Sequence, residues 1–360
     1  MREPSATALV ELSTAHLELM YSQVLFLNRA GVEVHVILPD TMRELSTHLG
    51  DLASMHFIRV PGGNRGRWVA AANLRHCLLD LRVRNVVFNT AEGNYVRDFL
   101  SYAPLGITYN GILHHADKLR YSFTQFLISR RVRRYAVMND YLLAHVPRRA
   151  RKRVTSVYPI FFPIDDASDV QKPAGEFWAC IPGTVEFPRR DYVGLLEAMR
   201  THPVDPSVRF IVLGSTRGFN SDGPELEARV KRAGLENRFV FFREFVPRQR
   251  FFGYLRRCDI ILPLTNPGVS NYEYYRSSGI SGAFNLAFGV RKPMLLDTSW
   301  THLDDFRQTS VFHEPGKIVQ ALNAVAGDSA LLAAREAEAR SYQKFTFPHQ
   351  QERFLEFLFG

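Results

Sequence analysis

The sequence predicts an α/β protein built from two doubly wound parallel sheets. Three observations carry that expectation. Short apolar, strand-like runs alternate with amphipathic helical runs, a proline-containing stretch interrupts the alternation near the middle, and the alternation then restarts. The chain has 360 residues, 46% hydrophobic and 22% charged, which is the balance of a globular protein with room for two cores.

The first series opens with the strand-like ATALVEL, followed by a helical run through HLELMYSQVLFLNRAG that Gly31 ends. VEVHVILP reads as a second strand, then come a polar helix and the strand MHFIRV. WVAAANLRHCLLDLRV has apolar residues at three- and four-residue spacing and reads as a helix. NVVFN, GITYNGIL and RYAVMN continue the strands over roughly the first 155 residues. The stretch YPIFFPIDDASDVQKPAGE has three prolines and no helical period, so it is expected to link two domains. Beyond it FWACIPG, RFIVLGS, RFVFFREF, DIILPL and PMLLD read as strands. Helices are expected between them at YVGLLEAMRTH, ELEARVKRAG, RQRFFGYLRRC and the run after SSGISG, then at KIVQALNAVAG, LLAAREAEARSYQKF and HQQERFLEFLF. The expected division is residues 1–160, a linker 161–175, a second domain 176–335, and C-terminal helices 336–360 crossing back toward the first. Two such Rossmann-like halves place a cleft between them, with ligands beyond the carboxyl ends of the strands.

Composition removes several functions. No apolar stretch approaches the ~20 residues of a membrane span. MREPSATALVELS lacks an apolar signal-peptide core, which argues against secretion and for a cytoplasmic protein. Cys77, Cys180 and Cys258 lie far apart with no C-x-x-C spacing, so they read as reduced structural thiols, and no metal site is expected. The net charge of +9 is uneven. Arg130, Arg131, Arg133, Arg134, Arg148, Arg149, Arg151, Lys152 and Arg153 are interrupted only by Asp140, a pattern that attracts phosphate-bearing partners such as an anionic membrane surface. Nucleic acid is not the expected partner, because stacking aromatics do not interleave with these residues and no DNA-binding motif is present. No G-x-G-x-x-G follows an early strand, against a nicotinamide enzyme.

Four stretches in the second half resemble, in order, the GT-B glycosyltransferases, in particular the family 4-like and family 1 group of bacterial surface-glycan enzymes. They are IPGTVEFPRRDYVGLLEAM, RFIVLGS, ENRFVFFREFVPRQRFFGYLRRCDIILPL and SSGISGAFNLAFGVRKPMLL. The resemblance implies a UDP- or GDP-type nucleotide diphosphate-sugar as substrate, a glycan or lipid-linked acceptor, and no resident cofactor. It implies that Ser278, Gly279, Ile280, Ser281 and Gly282 cradle the diphosphate, whose leaving-group charge is met by helix N–H groups and by Arg189 or Arg190. Gly214, Glu244, Tyr274 and Asn285 then fall near the nucleotide or sugar. His114, with His115 as alternative, matches the histidine that the family holds against the donor sugar, and it or a nearby acid such as Glu92 would act as base in an inverting reaction.

Glu11, Ser13, Thr14 and His16 occupy the first βα turn, where the family has a glycine-rich loop. They are expected either to bind acceptor hydroxyls or, for Ser13 or Thr14, to cap the following helix. One departure stands out. The pair of glutamates of many retaining members is missing, since Asn285 or Leu286 stands where the second would fall and Glu273 is too far upstream. The same fold also allows an epimerase or a phosphorylase, and the charge alone would allow a nucleic-acid-binding protein.

Overall fold

The computed structural model describes residues 6–164, 169–218 and 220–360, which form two compact units. The first takes the chain up to Pro163, together with Arg276–Ile280 and Phe347–Gly360. The second takes Ile164–Tyr275 and Ser281–Thr346. Residues 165–168 of the expected linker lie outside the described residues.

In the first unit the strands are β1 (Thr7–Val10), β2 (Val34–Pro39), β3 (Ser54–Ile58), β4 (Asn85–Phe88), β5 (Thr108–Leu113), β6 (Val132–Val137) and β7 (Val154–Ser156). All pair in parallel, in the order β3-β2-β1-β4-β5-β6-β7. Thr7–Val10 are buried on both faces, as a central parallel strand requires, and this is why TALV and VHVILP read as unbroken apolar runs. On one face lie α2 (Gly63–Asp80), α3 (Gly93–Ser101) and α5 (Phe123–Ser129), the last preceded by a single turn, α4 (Lys118–Tyr121). The other face is covered by α1 (Met20–Arg29) and by the last helix of the chain, Phe347–Phe359, whose Phe354, Phe357 and Leu358 join Met20, Val24 and Leu27 in one core. The expected polar helix after β2 forms instead as two 3-10 segments, Asp40–Met42 and Glu44–Leu49.

The second unit repeats the plan. Its strands are β8 (Phe177–Pro182), β9 (Val208–Ser215), β10 (Phe239–Phe242), β11 (Ile260–Ile261), β12 (Met294–Asp297) and β13 (Ser310–His313), in the parallel order β10-β9-β8-β11-β12-β13. Counting strands from the start of each unit, both sheets run 3-2-1-4-5-6, and the first adds a seventh strand at its edge. This is the doubly wound order, in which ligands sit where the winding reverses, beside the first and fourth strands. Helices α6 (Tyr192–Thr201), α7 (Gly223–Arg232), α8 (Arg248–Arg257), α9 (Tyr272–Ser277), α10 (Gly282–Val290), α11 (Asp304–Thr309), α12 (Ile318–Ala326) and α13 (Ser329–Ser341) follow, and α14 is the Phe347–Phe359 helix of the first unit.

Three expected boundaries move. The linker narrows, because the second unit already begins at Ile164. The crossing back comes at Phe347 rather than 336, since α13 packs on α11 and α12 while only α14 carries an apolar face that completes the α1 layer. Within the expected second domain, Arg276–Ile280 groups with the first unit, because its carbonyls are claimed by donors there.

Candidate functional site

At the switch point of the first unit, Glu11 leaves the end of β1 almost fully buried. Its Oε1 accepts the Ser13 N–H (2.8 Å), and its Oε2 accepts Asn89 Nδ2 (2.9 Å) and the Thr90 hydroxyl (2.7 Å) from the end of β4. Asn89 Nδ2 also donates to the carbonyl of His16 (2.9 Å), which holds His16 in the left-handed conformation at φ 65°. His16 thereby stacks at 3.8 Å between ring centroids on His114, which follows β5. His114 Nε2 donates to the Asn89 carbonyl (2.9 Å) and lies 3.3 Å from the Thr90 hydroxyl. The loop ends after β1, β4 and β5 thus converge on one polar cluster.

Burial, helped by the neighbouring His16, pushes the His114 pKa down to about 3. Its ring is neutral at physiological pH, with the proton on Nε2 and the lone pair on Nδ1. So weak a base suits hydrogen bonding to a substrate group better than proton abstraction. His115 is also lowered, chiefly by burial. For His16 burial works toward a lower value, but Glu18, Glu11 and Glu92 outweigh it and leave the pKa raised.

Two expected roles are corrected. Glu92 is not placed as a base, because its Oε1 accepts the N–H groups of His114 (2.7 Å) and His115 (2.8 Å) and its Oε2 binds Lys118 Nζ (2.6 Å). It clamps the turn that presents His114. Neither Ser13 nor Thr14 caps the helix, because a 3-10 turn, Leu17–Leu19, intervenes before α1 and carries no side-chain cap. Glu11 serves its neighbours' donors, whereas Ser13 and Thr14 lie toward the surface.

The second unit has a different chemistry at its switch point. Arg190, 7% exposed, donates to the carbonyls of Pro182 (2.5 Å) at the end of β8 and of Thr184 (2.7 Å) on the loop that follows. Its Nε has no partner among the described residues, and no carboxylate there pairs with it. A buried cation held only by carbonyl dipoles leaves a net positive field. The loop is tight: a Cβ on Gly183, at φ 98°, would meet the guanidinium at 2.5 Å, and one on Gly214 would meet the Gly183 carbonyl at 2.1 Å. Glycine at 214 is therefore required by the approach of the β8 and β9 loops to each other. Arg189 is paired with Glu186 (3.0 Å) and donates to the Tyr275 hydroxyl (2.6 Å).

The Ser-Gly segment divides. Ser278 gives its carbonyl to the Ala116 N–H (2.8 Å), Gly279 gives its own to the Tyr141 hydroxyl (3.2 Å), and Ile280 packs on the first unit's core. Ser281 and Gly282 instead open α10 in the second unit. Ser281 is the N-cap residue, yet its hydroxyl makes no cap bond, so the first-turn N–H groups keep their demand for an acceptor. One turn on, Asn285 is 3% exposed and its Oδ1 has no partner among the described residues. Tyr274 stands half-buried on α9, edge-on to Tyr275 at 5.2 Å, and Glu244 is exposed on the bend after β10.

No protein-family model matches the chain, and none of the curated proteins matches it. Solved structures do. A glycosyltransferase from Rickettsia africae matches with a TM-score of 0.68 at 11% identity, over 98% of each chain. Anabaena HepE, solved in complex with UDP-glucose, gives 0.66 at 15% identity, over 97% of this chain and 98% of its own. A Listeria monocytogenes structure described as a UDP-N-acetylglucosamine 2-epimerase gives 0.63 at 10%, over 98% and 95%. This chain has the GT-B fold.

Within the GT-B fold, sequence reasoning missed Asn89 and Thr90, which tie Glu11 to His114. It also missed Asp191, whose carboxylate caps α6 at Gly194 N (2.8 Å) and accepts Asn266 Nδ2 (2.9 Å) from the segment after β11. All three follow a first or fourth strand, so the strand order was the signal that would have found them.

Proposed function

We propose that this protein is a glycosyltransferase that moves a sugar from a UDP- or GDP-type nucleotide diphosphate donor to a glycan or lipid-linked acceptor. The reading places it in bacterial surface polysaccharide or lipopolysaccharide assembly, in the cytoplasm, seated on the inner face of the plasma membrane through its basic stretch. The observation that carries it is the start of α10, where the first-turn N–H groups have no side-chain cap and the buried Asn285 Oδ1, unpartnered among the described residues, is left to accept from a donor hydroxyl. Helix N–H groups attract a diphosphate and stabilise it as it departs, with Arg190 adding positive field and no metal being required. His114, neutral and fixed by Asn89 and Glu92, orients the transferring sugar. Among the described residues no helix is long and apolar enough to cross a membrane.

Thermal denaturation with a panel of nucleoside diphosphates tests the donor assignment. One base should raise the melting temperature well above the others. No response to any nucleotide, combined with tight, salt-sensitive DNA binding, overturns it. The Listeria likeness favours one other reading, a sugar-nucleotide epimerase, which would interconvert the donor with no acceptor present. Incubation with the responding UDP- or GDP-sugar alone separates the two.

A further inference from the structure

Helix α5 is built inside out. Its buried face consists of Gln125 and Ile128, with the Gln125 amide donating to the Ala91 carbonyl and the Tyr135 hydroxyl (both 3.1 Å). Phe123 is 75% exposed and Phe126 58%, and the two rings stack at 6.2 Å. Phe123, Phe126 and Arg130 are spaced i, i+3, i+7 and share one helix face. On the preceding turn Tyr121 is 75% exposed, with the Arg120 guanidinium 5.6 Å from its ring centre. Core packing does not account for two solvent-facing phenylalanines opposite a buried glutamine.

These rings border a groove of about 600 Å³, whose cationic lining is Arg120, Arg130, Arg149 and Arg153. No acidic residue lines it, and none of the four arginines forms an ion pair among the described residues. Two of them are anchored by neutral backbone carbonyls, Arg149 by Leu119 (3.2 Å) and Arg153 by Arg133 (2.8 Å) and Ser129 (3.1 Å), which fixes the guanidinium groups without cancelling their charge.

The geometry points to this patch as the surface that docks on an anionic lipid bilayer. Tyr121, Phe123 and Phe126 enter the headgroup–acyl boundary while the four arginines hold lipid phosphates. A second copy of the chain is the wrong occupant, because it would bring two uncompensated arginine clusters together. The inference rests on the membrane seat proposed above and relocates it from the whole basic stretch to α4, α5 and Arg149–Arg153. Nucleotide binding is a separate readout, so vesicle binding and the donor assignment stand or fall independently.

Flotation of the full-length protein with phosphatidylcholine vesicles, with and without phosphatidylglycerol, tests it. Binding is expected only with the anionic lipid. Phe123→Ser/Phe126→Ser should weaken it tenfold or more, and Arg120→Gln and Arg130→Gln about fivefold each while reducing its salt sensitivity. A Phe123→Trp variant should lose indole fluorescence to brominated acyl chains. Unchanged melting temperatures in the surface variants confirm that they fold. Equal binding to neutral vesicles, wild-type binding by the double Phe variant, or a wild-type dimer that the double variant dissolves with no vesicle binding, would each overturn the assignment.

Discussion

The two sheets share a strand order, yet their switch points are opposites in chemistry. In the first unit Glu11, Asn89, Thr90, Glu92 and His114 answer one another's donors and acceptors. In the second, among the described residues, Arg190 keeps an unpartnered Nε, Asn285 an unpartnered Oδ1, and Ser281 opens a helix without a side-chain cap bond. A saturated network is rigid and stabilising. An unsaturated, positively biased one costs stability and waits for a ligand. Substitutions in the first site should therefore be read mainly in folding, and in the second mainly in binding.

Acid gives the widest contrast. The folded pKa of His114, about 3, lies below its ordinary 6.5, so the unfolded chain binds the extra proton first. Its contribution is complete above pH 6.5 and is lost as pH falls toward 3, about 5 kcal/mol at the limit. Urea unfolding across that window should show a shallower loss in His114→Gln than in the wild type. At neutral pH the same variant should retain nucleotide affinity and lose turnover, and wild-type turnover would remove His114 from the reaction.

Glu11→Ala comes next. It strips acceptors from Asn89, Thr90 and the Ser13 N–H, which should cost about 3 kcal/mol in urea denaturation. Arg190→Met should weaken nucleoside diphosphate binding by about 1.5–3 kcal/mol in calorimetry, the worth of charged hydrogen bonds. A binding constant unchanged by that substitution would break the comparison. The smallest effect sharpens it most. Asn285→Leu, which removes an unanswered acceptor, should stabilise the free protein by up to about 1 kcal/mol while shrinking the stabilisation that nucleotide confers.

Much of this was legible in the sequence where local pattern and burial agree. The runs TALV, VHVILP and FWACIP are strands because both faces of a parallel sheet are covered, and that burial is written as unbroken apolarity. DIILPL yields only Ile260–Ile261 as strand, since Pro263 donates no ladder hydrogen bond. The Ser-Gly segment was visible as a helix start, but its division at Ile280 was not. That division depends on Ala116 and Tyr141, more than 130 residues away in sequence. Glu92 looked like a free acid for the same reason: an isolated carboxylate in TAEGN carries no mark of the backbone amides it accepts from a later turn.

The return of α14 to the first unit has a consequence for synthesis. Phe354 and Phe357 belong to the core layer that α1 begins, and Arg133 and Arg134 hold the helix's carbonyl end. On a ribosome adding roughly 5–20 residues per second, the whole second unit is made while that layer is still open. For on the order of ten seconds or more Met20, Val24 and Leu27 lack part of their cover, an interval in which a nascent chain is exposed to chaperones and to aggregation.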